Sequence, residues 1–272
     1  KLLNLGGNVG WVDIKLTMKD MENSGDITIE DLLIKWTISA AGNVGRYNTE
    51  TGGSGTNLKN SGAIYIDEKS STPGGLYIGG CVAMLNLHNS GSLNTCENDA
   101  PITLKPSVSG NVYVGGVTGY VDGSTDRTLT NTKNGKIKIV GNSSNLYTAG
   151  IAAYSFNIDC KNTTNYGDVE TEGTIASNLM VAGMLASPGY ADSTGERYFY
   201  ADNLVNYGNV DVKMAAGSAR IGGVFGRGSQ GDVSNSVNHG NVTLAPNGGD
   251  LALTIALGGF EGEGTGDGDA GT

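Results

Sequence analysis

The amino-acid sequence predicts an all-β fold, a single-stranded parallel β-helix (β-solenoid) of seven to eight turns of about 36 residues each. Two motifs that recur in step along the whole chain lead to this prediction, together with a period-two alternation of apolar residues after the second motif. Parallel β-crossovers strongly prefer one hand, so we expect a right-handed coil. We expect residues 1–260 to form the solenoid and residues 261–272 to form an acidic, glycine-rich tail or linker.

The first motif reads small-small-x-x-small, and its copies lie 33 to 40 residues apart. They begin at Gly6, Ala41, Gly79, Gly115, Ala149, Ala182, Gly222 and Gly258. Apolar residues on both sides of the motif are three positions apart, as at Ile78 and Cys81. An unbroken strand would point these two side chains to opposite faces. We therefore expect a bend or bulge at the glycine pair that turns both side chains inward.

The second motif reads Asn/Asp-x-x-Asn-x-Gly and interleaves with the first. Its second asparagine recurs once in every turn, which predicts a ladder of side-chain amides hydrogen-bonded along the axis. The predicted ladder residues are Asn23, Asn60, Asn89, Asn134, Asn165, Asn206 and Asn238. Alternating strands follow each copy and predict a buried column at Ile27, Ile64, Leu93, Ile137, Val169, Val210 and Val242. Each turn buries these residues only by stacking on its neighbours.

Charge and cysteine content limit the function. The chain has 17 Lys and Arg against 27 Asp and Glu, a net charge of −10, which disfavours nucleic acids and anionic membrane surfaces as partners. It has no run of 18 apolar residues, so we expect no membrane insertion. Cys81, Cys96 and Cys160 lack metal-ligand spacing, and we predict neither a metal nor a cofactor.

The repeats resemble the GLUG-type repeats of bacterial surface and secreted proteins, especially those of gut Bacteroidetes. The resemblance lies in the GG-hydrophobic-x-Gly strand and in the Asn-Tyr-Gly-x-Val segments at Asn165–Val169 and Asn206–Val210. It implies a parallel β-helix in a secreted or cell-surface adhesin, or in an accessory module of a larger enzyme. An extracellular or cell-surface location, further domains of the same parent chain, and a glycan or cell-surface protein as partner follow from it.

An insertion at Pro188–Asp202 is the candidate ligand-binding loop, because aromatic rings beside charged groups suit a sugar's apolar face and hydroxyls. The predicted binding residues are Tyr190, Tyr198, Tyr200, Asp192 and Arg197. The alternative is that the aromatic residues lead into a strand and cover the core. Similarly, Tyr166, Tyr207 and His239 share one slot in three consecutive turns. We expect these rings to stack, either as a binding platform or as packing between turns.

The sequence predicts no catalytic residue. Its two histidines lie in distant turns without a nucleophile partner, which argues against a Ser-His-Asp arrangement. Asp168, Glu170 and Asp211 are the carboxylates that a polysaccharide lyase or glycoside hydrolase on this scaffold would use. Lysines project from the neighbouring turn, so we interpret these carboxylates as surface ion pairs. The predicted function is therefore a non-catalytic structural and adhesive module, with the polysaccharide-degrading enzyme as the alternative.

Overall fold

The computed structural model describes residues 2–32, 37–48, 52–69, 74–107, 110–189, 199–228, 231–247 and 254–264. It is a β-solenoid in which strands pair in parallel with the strands of the turns before and after, as predicted. The strands are β1 (Leu2–Gly6), β2 (Val9–Val12), β3 (Thr17–Asn23), β4 (Ile27–Leu32), β5 (Thr37–Ala41), β6 (Val44–Asn48), β7 (Ser54–Asn60), β8 (Ile64–Glu68), β9 (Leu76–Gly79), β10 (Val82–Asn98), β11 (Ile102–Lys105), β12 (Asn111–Gly115), β13 (Thr118–Arg127), β14 (Thr130–Asn131), β15 (Ile137–Ala149), β16 (Ala152–Phe156), β17 (Asp159–Asn165), β18 (Val169–Ala182), β19 (Leu185–Pro188), β20 (Phe199–Asn206), β21 (Val210–Gly222), β22 (Phe225–Gly228), β23 (Gly231–Ser234), β24 (Val237–Asn238), β25 (Val242–Ala245), β26 (Thr254–Gly258) and β27 (Glu261–Gly264).

The strands stack in four columns that the chain visits in the order 1, 2, 3 and 4. Column 1 contains β1, β5, β9, β12, the ends of β15, β18 and β21, and β26. Column 2 contains β2, β6, the starts of β10 and β13, β16, β19, β22 and β27. Column 3 contains β3, β7, the ends of β10 and β13, β14, β17, β20, β23 and β24. Column 4 contains β4, β8, β11, the starts of β15, β18 and β21, and β25.

The small-residue motif is the bend between columns 1 and 2. Ile78 and Cys81 are both fully buried, so the expected inward turn of both side chains is confirmed. Ile78 belongs to an apolar cluster built by columns 1 and 4, and Cys81 to one built by columns 2 and 3. The bend thus separates the two large apolar clusters, and a small third cluster consists of Ala149, Met180, Ala182 and Ala186.

The predicted buried column is largely correct. Six of its seven residues lie on the inner side of column 4, and Ile27 and Val242 among them are only partly buried because β4 and β25 each pair on one side in that column. Leu93 is an error in the assignment. It is buried, but it lies in column 3, and the column 4 position of that turn is occupied by Ile102.

The asparagine ladder exists, with two members different from those predicted. Each amide nitrogen except that of the last member donates to the amide oxygen of the next turn at 2.7–2.9 Å, in one direction along the axis. The ladder runs through Asn23, Asn60, Asn98, Asn131, Asn165, Asn206 and Asn238. The predictions of Asn89 and Asn134 were therefore wrong. Asn134 is exposed and donates to Asp99 Oδ1 at 3.1 Å, and Asn89 lies within β10, nine residues before the ladder position of its turn.

A left-handed residue three positions before each ladder asparagine explains the error. Asp20, Asn57, Asn162, Asn203 and Asn235 hold φ values of 50° to 58°, which asparagine and aspartate tolerate better than most residues. In the two misassigned turns this position is a threonine, Thr95 or Thr128, at 55° and 56°. A β-branched residue is unfavourable there, so the sequence pattern did not indicate it.

We expect Thr128→Asn to raise the free energy of unfolding by about 1 kcal/mol, because asparagine relieves the strain of this backbone conformation. Thr128 is exposed, so the substitution leaves the core unchanged. Thr28→Asn, at an exposed strand position, is the matched control and should not stabilise the chain. Denaturant unfolding measures both variants, and equal effects at the two positions would contradict the strain argument.

The second residue of each small-residue motif is a glycine, and in every copy except the last it packs against the ladder. A Cβ atom on Gly42 would lie 2.3 Å from Cγ of Asn60, and one on Gly183 would lie 2.3 Å from Cγ of Asn206. The two sequence motifs therefore touch each other in the interior. At the other end of the chain, Glu261–Gly264, which we predicted to begin the tail, form β27 in parallel with β22.

Candidate functional site

The predicted ligand-binding loop is only partly visible. Tyr190, Asp192, Arg197 and Tyr198 lie outside the described residues. The loop ends in β20, where the next two side chains take opposite directions. Phe199 is 3% exposed and packs in the cluster of columns 2 and 3, whereas Tyr200 is 39% exposed.

Tyr200 lies in a charged environment on the outer side of column 3. The Lys161 ammonium is 4.6 Å from the centre of its ring, a cation–π distance, and donates a hydrogen bond to Asp159 Oδ2 at 3.1 Å. Two residues along, Asp202 accepts hydrogen bonds of 2.8 Å from Asn235 Nδ2 and Ser234 Oγ. These two bonds hold the pKa of the Asp202 carboxyl below its ordinary value, and the bond from Asn235 has the larger effect.

Tyr166, Tyr207 and His239 stack as predicted, and we refer to them as the aromatic column. The ring centres of Tyr166 and Tyr207 are 5.0 Å apart with planes 3° apart, and those of Tyr207 and His239 are 4.9 Å apart at 17°. The two tyrosines are 45% and 49% exposed. Because each ring covers a face of the next, the column offers solvent mainly ring edges rather than ring faces.

An exposed row of amides lies in the same three turns as the aromatic column. The left-handed residues Asn162, Asn203 and Asn235 form it, and Asn203 Nδ2 donates to Asn162 Oδ1 at 3.0 Å. Asn235 belongs to the next turn and bonds to Asp202. Polar groups and ring edges therefore repeat here at the spacing of stacked strands, ~4.8 Å.

The carboxylates considered for catalysis lie on the outer side of column 4 and are partnered. Lys136 Nζ lies 3.1 Å from Asp168 Oδ2 and 3.7 Å from Glu170 Oε1, and Asp168 is the main cause of a raised pKa at Lys136. Asp211 Oδ1 accepts a hydrogen bond of 2.6 Å from Thr243. Within the described ranges, no group of three or more His, Cys, Asp or Glu residues could hold a metal ion.

The three cysteines are buried thiols. Burial raises the pKa of Cys81 to about 12, and its thiol donates to the carbonyl oxygen of Glu97 at 3.2 Å. Such a group stays protonated at neutral pH and is a poor nucleophile.

The sequence motifs did not indicate a cluster of tyrosines on the outer side of the bend between columns 1 and 2, which we name the tyrosine cluster. It consists of Tyr77, Tyr113, Tyr147, Tyr120 and Tyr154. In column 1 the ring of Tyr113 stacks between the other two at 4.9 and 5.0 Å. In column 2 the other two rings stack at 5.7 Å, and rings from the two columns meet edge to face.

Small residues at the bend bring the two halves of the tyrosine cluster together. A Cβ atom on Gly119 would lie 2.6 to 2.8 Å from backbone atoms of Ile78 and Ala83, so the backbone leaves no room for a larger residue. Tyr113 is 8% exposed, and burial raises its pKa above the ordinary range. The overlooked signal is a tyrosine two positions before the first small residue and another five positions after it, as at Tyr113 and Tyr120 around Gly115.

In the parts of the chain that the structure describes, no helix has the length and hydropathy needed to cross a membrane. Comparison of the chain with models of known protein families, with curated proteins and with solved structures gives no match.

Proposed function

We propose that the chain is a non-catalytic structural and adhesive repeat module of a larger secreted or cell-surface bacterial protein, and that it binds a glycan or a surface partner. The aromatic column carries this proposal. Its tyrosines remain about half exposed, and exposed aromatic rings in a continuous row are typical of interaction surfaces.

A glycan is the ligand that this face of the molecule favours. A polysaccharide repeats its hydroxyl groups along an extended chain, and the face repeats amides, phenols and ring edges from turn to turn. Tyr200, with Lys161 against its ring and Asp159 beside it, adds a charged aromatic position on the outer side of column 3. The resemblance to GLUG-type repeats, which occur in adhesins, supports the same proposal.

The contacts of the carboxylates favour the binding module over the polysaccharide-degrading enzyme. An acid and a nucleophile need carboxyl groups in contrasting environments, one held protonated and one ionised. Here Asp168 and Glu170 share one lysine, and Asp211 accepts from a threonine hydroxyl, as surface ion pairs and hydrogen bonds do. The enzyme remains the alternative that the following experiment tests.

We expect the chain to be retained on one or more members of a panel of insoluble polysaccharides, without release of new reducing ends. Tyr207→Ala removes the central ring of the aromatic column and should weaken retention about tenfold, as the loss of an aromatic contact residue commonly does. Tyr65→Ala is the matched control, because Tyr65 is a half-buried tyrosine on column 4 that hydrogen-bonds to Lys105.

Three outcomes would count against this assignment. Equal retention of both variants would remove the aromatic column from the binding face. New reducing ends or unsaturated products would support the enzyme, and Asp168, Glu170 and Asp211 would then be the residues to replace. Absence of both retention and cleavage would leave only a spacer role for the described turns.

A further inference from the structure

The tyrosine cluster has a composition that the fold alone does not require. Toward the N-terminal end of the solenoid, the positions of column 2 that correspond to Tyr120 and Tyr154 are occupied by Met84, Arg46 and Trp11. Tyrosine, tryptophan, methionine and arginine are the residues enriched in the cores of protein interfaces. Most residues of the strip that these side chains form are half buried on the outside of the solenoid, whereas Tyr113 is buried and Trp11 is exposed. The strip is therefore suited to a protein ligand.

Arg46 is the charged group of this strip. It is half buried, its guanidinium lies 6.0 Å from the ring of Trp11, and its charge acts on Tyr77. Its Nε is buried without a hydrogen-bond partner, and no carboxylate in the described ranges forms an ion pair with it. A partly desolvated guanidinium in this state favours a carboxylate brought by a ligand.

The backbone of the strip restricts how a ligand can bind. The strands that carry the tyrosines, β12 and β13 for example, pair with the turns on both sides, so they have no free strand edge, whereas β2, which carries Trp11, pairs with β6 on one side. Beside the tyrosines a ligand therefore cannot add as an extra strand and must use side-chain surfaces. Among the modes of peptide recognition, a polyproline II segment on aromatic rings needs no backbone ladder.

The spacing of the rings also matches this ligand. Tyr77, Tyr113 and Tyr147 belong to successive turns, and their ring centres are separated by steps of 4.9 and 5.0 Å. Two steps thus correspond closely to one turn of a polyproline II helix, about 9 Å for three residues. A proline-rich chain running along the axis would place equivalent residues on alternate rings.

We propose that the tyrosine cluster, with Trp11 and Arg46, is a docking surface for a proline-rich segment of a partner protein that carries a carboxylate beside the prolines. The prolines lie along the stacked rings, and the carboxylate pairs with Arg46. This surface is distinct from the aromatic column, so it gives the module a second, peptide-binding function that does not depend on glycan binding.

Two fluorescent peptides test the proposal by anisotropy titration of the full chain. One has nine prolines flanked at each end by two glutamates, and the other has the same prolines flanked by two lysines. We expect the glutamate peptide to bind at least about tenfold more tightly. Arg46→Gln should abolish this preference, and Tyr147→Leu should weaken binding of the glutamate peptide about tenfold. Tyr166→Leu, in the aromatic column, is the control and should bind like the unchanged chain.

Several results would overturn the proposal. The first is absence of binding of the glutamate peptide at millimolar concentration. The second is an unchanged affinity of Tyr147→Leu for this peptide, and the third is equal affinity of the unchanged chain for the two peptides. Binding of an oligosaccharide that Tyr147→Leu abolishes, without peptide binding, would assign the strip to glycans instead. If Tyr147→Leu fails to fold, as circular dichroism would reveal, the charge preference of Arg46→Gln decides the question.

Discussion

Gly183→Ala is expected to lower the free energy of unfolding by more than about 3 kcal/mol, because the new methyl group has no space. Its Cβ would lie 2.2 Å from the carbonyl oxygen of Gly223 and 2.3 Å from Cγ of Asn206. The first of these atoms is backbone of the next turn, and the second is fixed by the ladder, so neither can move without breaking hydrogen bonds. Denaturant unfolding followed by circular dichroism measures the effect.

Gly259→Ala is the matched control. Gly259 occupies the same position in the last copy of the motif, but a Cβ atom there has no neighbour within 4 Å. Its substitution should change the free energy of unfolding by less than about 0.5 kcal/mol. If the two variants were equally destabilised, the requirement would be conformational freedom of glycine rather than space.

Asn206→Ala is the second large effect, and we expect it to lower the free energy of unfolding by ~1–3 kcal/mol. The fully buried Asn206 donates to the carbonyl oxygen of Gly208 at 2.8 Å and to Asn238 Oδ1 at 2.7 Å. It also accepts from Asn165 Nδ2 at 2.8 Å. Alanine removes all three bonds and leaves buried polar groups in the same turn and in both neighbouring turns with one bond fewer.

Asn134→Ala distinguishes the ladder from a general effect of losing an asparagine. Asn134 has the sequence context of a ladder residue, but it is exposed and bonds to Asp99 on the surface. We expect its replacement to change the free energy of unfolding by no more than about 0.5 kcal/mol. An unchanged unfolding midpoint for Asn206→Ala would contradict the role of the ladder.

The fold could be predicted because its two determinants are both visible as sequence repeats. The small-residue motif marks the positions at which the backbone of one turn packs against the next, and the asparagine motif marks the positions at which the amides stack. Gly80 and Asn98 illustrate the coupling, since a Cβ on this glycine would lie 2.4 Å from Cγ of the asparagine. Each restriction recurs in every turn, so chance similarity could not imitate it.

The two ladder errors arose where the structure accepts an unfavourable residue. Asn98 is followed by Asp99 and Ala100 instead of x-Gly, and its amide donates to the carbonyl oxygen of Ala100. The left-handed position before it is Thr95, which has no preference for that conformation. In the same turn, Asn89 completes a better copy of the motif within a long strand. Local preference therefore pointed to the wrong asparagine, and only the stacking of whole turns identifies the right one.

The candidate sites were less accessible to sequence reasoning because they depend on which side chains meet across a bend. The stacking of Tyr166 on Tyr207 follows from one repeated slot and was predicted. The tyrosine cluster combines two repeat positions seven residues apart, such as Tyr113 and Tyr120. They lie on opposite sides of a bend whose angle the sequence does not specify. Their edge-to-face contact at 6.3 Å is a property of the folded chain.

Because each turn stacks on the next, the length of the solenoid can change independently of its cross-section. Since every column pairs equivalent positions of successive turns, excision of the segment from one glycine bend to the next would bring matching strands and matching ladder asparagines together again. The result would be a shorter rod of the same cross-section, reduced by about 4.8 Å. The length of such a chain can change in fixed increments through changes in repeat number, with the parallel strand pairing and the asparagine ladder retained.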